Sequence, residues 1–442
     1  MRLLLASYHY LLAPVLFVLS NYFFVCFIPF VKKRRHFERE NLTGPEYQSF
    51  HKEKQIADVC FEVSSEGELE QVLPIIHALL DHQKRVELIY CSPSVKDHCL
   101  KIFQANSGHV RLLRLPLVTY FPFFGWGQSV KSWMTAKTLV LCRYDFFPEL
   151  LALGNDPKNK FILVNATLKN KNSFFMRPIL SLFDQVVCAS QNDELKMKAL
   201  LKEEVVTNTF DFRVIQIRKR LKDYQRKNFF QSTSFQAGRE LINLFPKEKT
   251  ILFGSMWPLE LAVFDCPDFL ESIKKREQLV VIAPHRLEPQ ALDQFTHFFD
   301  QLPGQMDYQI WDEHFSQENV VSFKNKPGIL ILTVRGILCE MYQWFGHAYV
   351  GGGHGKSVHS LLEPFLAGVQ VYCGPKTHRS TEYDFILGQA PQGILLVPRL
   401  NEFYKILQAG HCQLPMDRSV EMGSDGNDFF KHFVQNLVEV RT

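Results

Sequence analysis

Two short stretches combine residues able to do chemistry with spacing that would position them. The first is Ser64-Ser65-Glu66-Gly67-Glu68. It follows the short apolar run Ala57–Val63. It precedes an amphipathic stretch with Leu69, Val72, Leu73, Ile76 and Leu80 on one face. That pattern predicts a strand, a tight turn and a helix, with Glu68 in the helix's first turn. A carboxylate held there can take a proton from a reacting hydroxyl. Ser65-x-x-Glu68 is equally a capping box, which requires no function.

The second stretch runs Gly351-Gly352-Gly353-His354-Gly355-Lys356-Ser357-Val358-His359-Ser360-Leu361-Leu362-Glu363-Pro364. It follows another apolar run and is predicted to open a helix. Glycines let backbone approach a ligand closely, and helix N-terminal amides favour phosphate. Lys356 and His359 add positive charge or donors, and Glu363 could accept hydrogen bonds from a ribose. The alternative is a second capping box, Ser360-x-x-Glu363. The glycine a phosphate-binding G-K-[ST] loop needs upstream is missing, and no G-x-G-x-x-G is formed. Smaller features sit near other predicted strand ends: Ser255 in Gly254–Pro258, His285 and Arg286 after Leu279–Pro284, Gly374-Pro375, and Asp145 after Lys137–Arg143.

Positioning these residues requires parallel sheets. Short runs rich in β-branched and aromatic residues alternate with helical stretches in both halves, the rhythm of βαβ units. The first-half strands are predicted at Ala57–Val63, Arg85–Cys91, Lys137–Arg143, Phe161–Asn165 and Gln185–Ala189. The second-half strands are predicted at Thr250–Gly254, Leu279–Pro284, Gly328–Thr333, His347–Gly351, Val369–Cys373 and Ile394–Val397. A charged stretch from Arg213 to about 248 reads as a linker and helix. The expected division is an anchor over 1–31, a first Rossmann-like domain over 32–212, the linker over 213–248 and a second Rossmann-like domain over 249–442. Ligands in such sheets bind beyond the carboxyl ends of the strands, in a cleft that the two domains would share.

The 442 residues are 46% hydrophobic and 22% charged, with a net charge of +4. These values suit folded domains and supply no basic stripe for a nucleic-acid partner. The 10 cysteines include no C-x-x-C pair. The closest cluster, Cys91, His98 and Cys99, matches no zinc spacing, so no metal is expected. From Leu3 to Val31 no residue is formally charged, longer than the roughly 20 residues a bilayer span needs. Lys32, Lys33, Arg34 and Arg35 follow, which predicts a single-pass anchor with the body of the protein on the cytoplasmic side.

These residues resemble the 3-deoxy-D-manno-octulosonic acid (Kdo) transferases, glycosyltransferase B enzymes of Gram-negative bacteria. The family's S-x-G-E is matched by Ser65-Glu66-Gly67-Glu68. Its acidic residue before an aromatic and a proline is matched by Asp145-Phe146-Phe147-Pro148, and its N-A-R-L in part by Asn165-Ala166-Thr167-Leu168. Its V-G-G-G-x-G-K-x-x-H-x-x-L-E-P is matched from Val350 to Pro364. The resemblance implies inverting, metal-independent transfer of Kdo from CMP-Kdo to a lipid A precursor at the inner membrane, without a further cofactor. It implies Glu68 as the base and Asp145 as a second carboxylate. Ser255, His285, Arg286, Gly352, Gly353, Lys356, His359, Ser360 and Glu363 would bind the donor, and Ser65, Gly67 and Asn165 the acceptor. Three positions depart from the family pattern: Glu62 replaces a histidine, Arg143-Tyr144-Asp145 replaces E-T-E, and Thr167 replaces an arginine. All three fall in the acceptor half. The alternatives are therefore a related membrane glycosyltransferase with another acceptor or sugar, and a silent member that only binds a nucleotide sugar.

Overall fold

The computed structural model describes residues 2–42, 44–116, 130–143, 145–168, 173–302, 306–326, 328–378, 380–410 and 424–439. Tyr144 lies outside them. The chain divides into two compact units, Met1–Arg213 with Ser424–Thr442, and Val214–Gly423.

The first unit is built on β1 (Val59–Val63), β2 (Val86–Tyr90), β3 (Val110–Arg114), β4 (Thr138–Cys142), β5 (Lys160–Ala166), β6 (Gln185–Cys188) and β7 (Val206–Thr209). All pair in parallel in the order β3-β2-β1-β4-β5-β6-β7. The residues of β1, β2 and β4 are buried throughout, as strands covered on both faces must be. Chain order reverses between β1 and β4, and a crevice at such a switch point is where ligands bind.

Strands β3 and β7 were not expected. Strand β3 hides two arginines. Arg111 pairs with the wholly buried Glu87 of β2 at 2.9 Å, and Arg114 pairs with Glu46 at 3.1 Å. A charged residue buried with its partner reads as a surface residue in the sequence.

The apolar N-terminal segment forms a helix over Leu3–Phe27, long and apolar enough to cross a membrane. It stops short of the expected Val31. Ile28 is extended and Pro29 opens a second helix, Pro29–Arg39, because a residue before proline is driven out of the helical region. One face of the first helix touches the domain. Leu5 joins the core beside Phe50 and Leu150, and Tyr8 donates to Glu149 at 3.0 Å. Leu4, Leu11 and Phe23 of the same helix are exposed. Of the basic cluster, Lys32 and Lys33 are exposed. Arg34 pairs with Glu38 at 2.8 Å and donates to the carbonyls of Cys91 and Leu115. Arg35 pairs with Glu38 at 2.6 Å and donates to Ser20.

The second unit carries β8 (Thr250–Met256), β9 (Leu279–Pro284), β10 (Tyr308–Trp311), β11 (Ile329–Leu332), β12 (His347–Val350), β13 (Gln370–Cys373) and β14 (Ile394–Leu396). The parallel order is β10-β11-β9-β8-β12-β13-β14, with its reversal between β8 and β12. Two boundaries differ from expectation. The stretch read as a linker belongs to this unit: Val214 and Ile217 pack with Leu361 and Phe365, while Phe229, Phe230 and Phe235 surround Trp311. Its apolar residues are interspersed with nearly as many charged ones but face one way, which composition alone hides. Conversely, the helix Ser424–Val438 returns to the first unit. There Phe429 and Phe433 pack on Phe210 and Phe212, and the Leu437 carbonyl accepts from Thr138.

Candidate active site

In the first unit, the carboxyl ends of β1, β4 and β5 gather Glu62, Glu68, Arg143, Asp145 and Asn165. Ser65 is extended, and its hydroxyl caps the helix Glu66–Asp81 by accepting from the Glu68 amide at 3.4 Å. The reciprocal half of the capping box is displaced by one residue, since the Glu68 carboxylate accepts from the Ser64 amide at 2.7 Å. Glu68 is therefore more than a cap. It is 4% exposed, and burial, the Asp145 charge and a hydrogen bond with Asp145 raise its pKa to about 7; the Ser64 amide and Arg143 offset part of that rise. A carboxylate poised near neutrality is the kind that accepts a proton efficiently at pH 7.

Glu62, at the end of β1, is fully buried. Its Oε1 accepts from the Ser64 hydroxyl at 2.7 Å and its Oε2 has no partner. Burial first, then Glu68 and Asp145, push its carboxyl well above the ordinary range against the Ser64 bond. Arg143, just after β4, and Asn165, near the end of β5, have φ of +63° and +49°. Such values are uncommon for side-chain-bearing residues and are maintained only where the surroundings enforce them. Asn165 is 1% exposed with neither amide atom bonded, and Arg143 Nε is likewise buried without a partner. A Cβ added at Gly67 would meet nothing within 4 Å, so packing gives no reason for that glycine.

In the second unit, the ends of β8, β9 and β12 bring Ser255, His285, Arg286, Gly352, Gly353 and His359 together. Trp257 organises them. Its Nε1–H donates to His359 Nε2 at 2.8 Å, its ring stacks on His285 at 4.5 Å, and Arg286 lies over its face at 5.4 Å. His285 and His359 stack at 4.2 Å. Since His359 Nε2 accepts, the proton of the neutral ring sits on Nδ1. Burial and His285 lower the His359 pKa to about 4. His359 can thus offer a donor at neutral pH, but not the positive charge also considered for it. Met256, Trp257, His285 and Arg286 line a pocket of about 390 Å3.

The glycine loop is built differently from expectation. It runs as turns to Lys356 and as irregular backbone to Leu361, and only the five-residue helix Leu362–Leu366 follows. The Glu382 carboxylate takes the Leu361 and Leu362 amides at 2.6 and 2.8 Å and the Ser360 hydroxyl at 3.2 Å, so protein already fills the anion position at that helix. No Ser360–Glu363 capping box forms; Glu363 pairs with Arg220 at 3.2 Å. Glu260, fully buried, accepts from the Gly352 amide at 2.9 Å, the Trp257 amide at 3.0 Å and the Tyr349 hydroxyl at 3.2 Å. Sequence reading missed Trp257, Glu260 and Glu382. The first two stand three residues apart directly after β8, which is the available signal.

Part of the glycine density is packing. A Cβ on Gly351 would lie 2.2 Å from the Ser255 carbonyl, and one on Gly353 2.6 Å from the Gly374 amide. Gly352 has φ +94°. Ser255 itself has φ +51°. Lys356 is exposed, whereas Lys376 closes the loop onto the carbonyls of His354 and Gly355 at 3.2 and 2.6 Å. Among the described residues, no three His, Cys, Asp or Glu side chains are arranged to hold a metal.

Residues 33–215 match the family model of the 3-deoxy-D-manno-octulosonic-acid transferases. The 3-deoxy-D-manno-octulosonic acid transferase of Aquifex aeolicus (strain VF5) is 26% identical over 320 residues, 72% of this chain and 75% of that one. Among solved structures, the UDP-GlcNAc 2-epimerase of Neisseria meningitidis bound to UDP-GlcNAc aligns with TM-score 0.52 at 12% identity, over 86% of this chain and all of that one. UGT89C1 of Arabidopsis thaliana complexed with quercetin aligns with TM-score 0.50 at 12% identity, over 87% of this chain and all of that one. The two structures share the fold alone, two Rossmann-like domains of the glycosyltransferase B class. Over residues 33–215 the chain thus matches the Kdo transferase family model, and it is a glycosyltransferase.

Proposed function

We propose that the chain transfers Kdo from CMP-Kdo to a lipid A precursor with inversion, using Glu68 as general base and no metal. The observation that carries this is the placement of Glu68: a buried carboxylate at the switch point, with its pKa raised to about 7 beside Asp145. In this reading Glu68 removes the proton of the acceptor hydroxyl as it attacks the anomeric carbon, and CMP leaves. Asp145 keeps Glu68 basic enough to do so. Arg286 and the His359 Nδ1–H engage the donor's anionic groups in the second unit, and the glycine loop shapes the backbone around it. The apolar helix Leu3–Phe27 holds the enzyme at the inner membrane with its domains in the cytoplasm, which raises the effective concentration of a lipid acceptor.

The test uses the full chain in detergent with lipid A precursor, fresh CMP-Kdo and EDTA. Wild type should release CMP. Glu68→Gln should lose roughly a hundredfold or more of the rate, the usual contribution of a general base, with its thermal melt retained. If wild type releases no CMP with any acceptor, the reading fails. If Glu68→Gln stays fully active, Glu68 is only a cap.

A further inference from the structure

We propose that the apolar helix Leu3–Phe27 does not cross the bilayer: it folds back at Ile28 and lies in the cytoplasmic leaflet as one arm of a hairpin, with its outer residues among the acyl chains and Lys32 and Lys33 on anionic lipid headgroups. The inference rests on the membrane part of the reading above and says how that membrane is met.

Two observations carry it. The first is where the two ends of the helix lie. Its 25 residues measure about 37 Å at a rise of about 1.5 Å per residue, enough to pass a hydrocarbon core of about 30 Å. A crossing helix would carry Leu5 and Tyr8 to the far side, away from the domain that follows Arg39. Yet Leu5 is buried in the first unit's core with Phe50 and Leu150, Ala13 is fully buried, and Tyr8 donates to Glu149 at 3.0 Å. The other end is tied to the same unit. Ser20 accepts from Arg35, whose guanidinium lies 5.6 Å from the centre of the Phe17 ring. On a straight helix residues 20 and 35 would stand about 22 Å apart, so the chain bends back between them, at the extended Ile28 before Pro29. Both ends of the helix rest on one domain, and no bilayer fits between them. The second observation is what the fold leaves outside. Leu11, Val15, Val18, Phe23, Phe27 and Phe30 are each more than half exposed, and no residue from Leu3 to Val31 carries a formal charge. Soluble proteins rarely expose apolar surface on this scale. Of the four cations after the bend, Arg34 and Arg35 turn to Glu38, while Lys32 and Lys33 are exposed. Apolar side chains bordered by lysines are the composition of a helix lying in the interface, its apolar face about 5–10 Å deep. Lysines there are attracted to an anionic leaflet, so a lipid surface satisfies both groups of residues.

The full chain, with an epitope tag before Met1, is expressed in a Gram-negative host. Proteinase K is added to sealed spheroplasts and to inverted inner-membrane vesicles, and the tag is read by immunoblot. The hairpin leaves the tag intact in spheroplasts and lost in inverted vesicles; any other pattern overturns it. In the same membranes a short bismaleimide should join Tyr8→Cys to Glu149→Cys in the double variant and in neither single one. No cross-link in a double variant whose thermal melt shows it folded overturns the docked helix, and the tag assay decides if that variant does not fold. Purified chain should float with phosphatidylglycerol vesicles, and Lys32→Gln with Lys33→Gln should weaken that binding about tenfold or more. Unchanged binding overturns the headgroup contact. Dimers that float with no vesicle make a second copy the occupant and overturn the lipid assignment. A crossing topology sinks the hairpin alone, whereas failure to float also removes the membrane from the proposed function. Release of CMP is read separately, so neither result is confused with a failure of glycosyl transfer.

Discussion

Replacing Asp145 with Asn separates the two causes that make Glu68 a base near neutrality. Burial is the larger cause and the Asp145 charge the next. With a pKa of about 7, Glu68 is only about one-tenth ionised at pH 6. The rate of CMP release, read as kcat/KM in the free enzyme, should therefore rise with pH to a midpoint near 7. Asp145→Asn removes a like charge and keeps the shape, which should lower the midpoint by roughly one pH unit. The midpoint should stay above the ordinary carboxylate value of 4.5, because burial is untouched. At pH 6 the ionised fraction would rise from about one-tenth to about one-half. The plateau rate should fall, since a less basic carboxylate takes a proton less readily. Neither His285 nor His359 confuses the profile: both are pushed down, His359 to about 4. The assay is CMP release from pH 5 to 9 for both proteins. A wild-type midpoint near 4.5, or a limb that stays put or moves up in Asp145→Asn, would refute the reasoning.

Three further expectations concern single side chains. Glu62 is raised in the fold, so its contribution to stability is present below its unfolded pKa and lost as pH rises. Glu62→Gln should therefore match wild type near pH 4 and melt higher at pH 8, by roughly 2–4 °C per kcal/mol relieved; a difference independent of pH, in fluorimetric melts, would count against it. Glu260→Ala strands the Trp257 and Gly352 amides and the Tyr349 hydroxyl, and denaturant titration should show a loss of about 3 kcal/mol or more; a loss under about 0.5 kcal/mol, the size of an ordinary surface change, would contradict that role. Gly353→Ala drives a methyl to 2.6 Å from the Gly374 amide, so it should cost about 1–3 kcal/mol and weaken CMP binding by calorimetry, whereas unchanged binding would mean the loop is only a turn.

Much of the sheet framework was legible, because the central strands are uniform apolar runs. Leu279–Pro284 matches its expected bounds, and β1, β2, β4 and β12 differ by a residue or two at their ends. Strand β3 was not legible, since Arg111 and Arg114 resemble surface residues until Glu87 and Glu46 are placed beside them. Strands β7 and β10 are four residues each and carry polar residues at incompletely buried positions. At the site, the Glu68–Asp145 pairing was legible because both follow strands that prove adjacent. The roles of Glu382 and Arg220 were not: each acts on residues 20 or more positions away in the chain. A local pattern such as Ser360-x-x-Glu363 cannot reveal that a distant carboxylate has already taken the amides.

The helix Ser424–Val438 makes the first unit depend on a segment synthesised after the second unit. When residue 213 has left the ribosome, the seven strands β1 to β7 exist, but Phe210 and Phe212 still lack Phe429 and Phe433. At roughly 5–20 residues per second, more than ten seconds of elongation separate the two. Meanwhile the second unit, contiguous from Val214 to Gly423, has every residue it needs. The order of maturation during translation is thus inverted relative to chain order: the later unit can finish first, and the earlier one waits with an aromatic patch uncovered. A nascent chain stalled just short of residue 424 would expose that patch to chaperones, and one released after residue 438 would not.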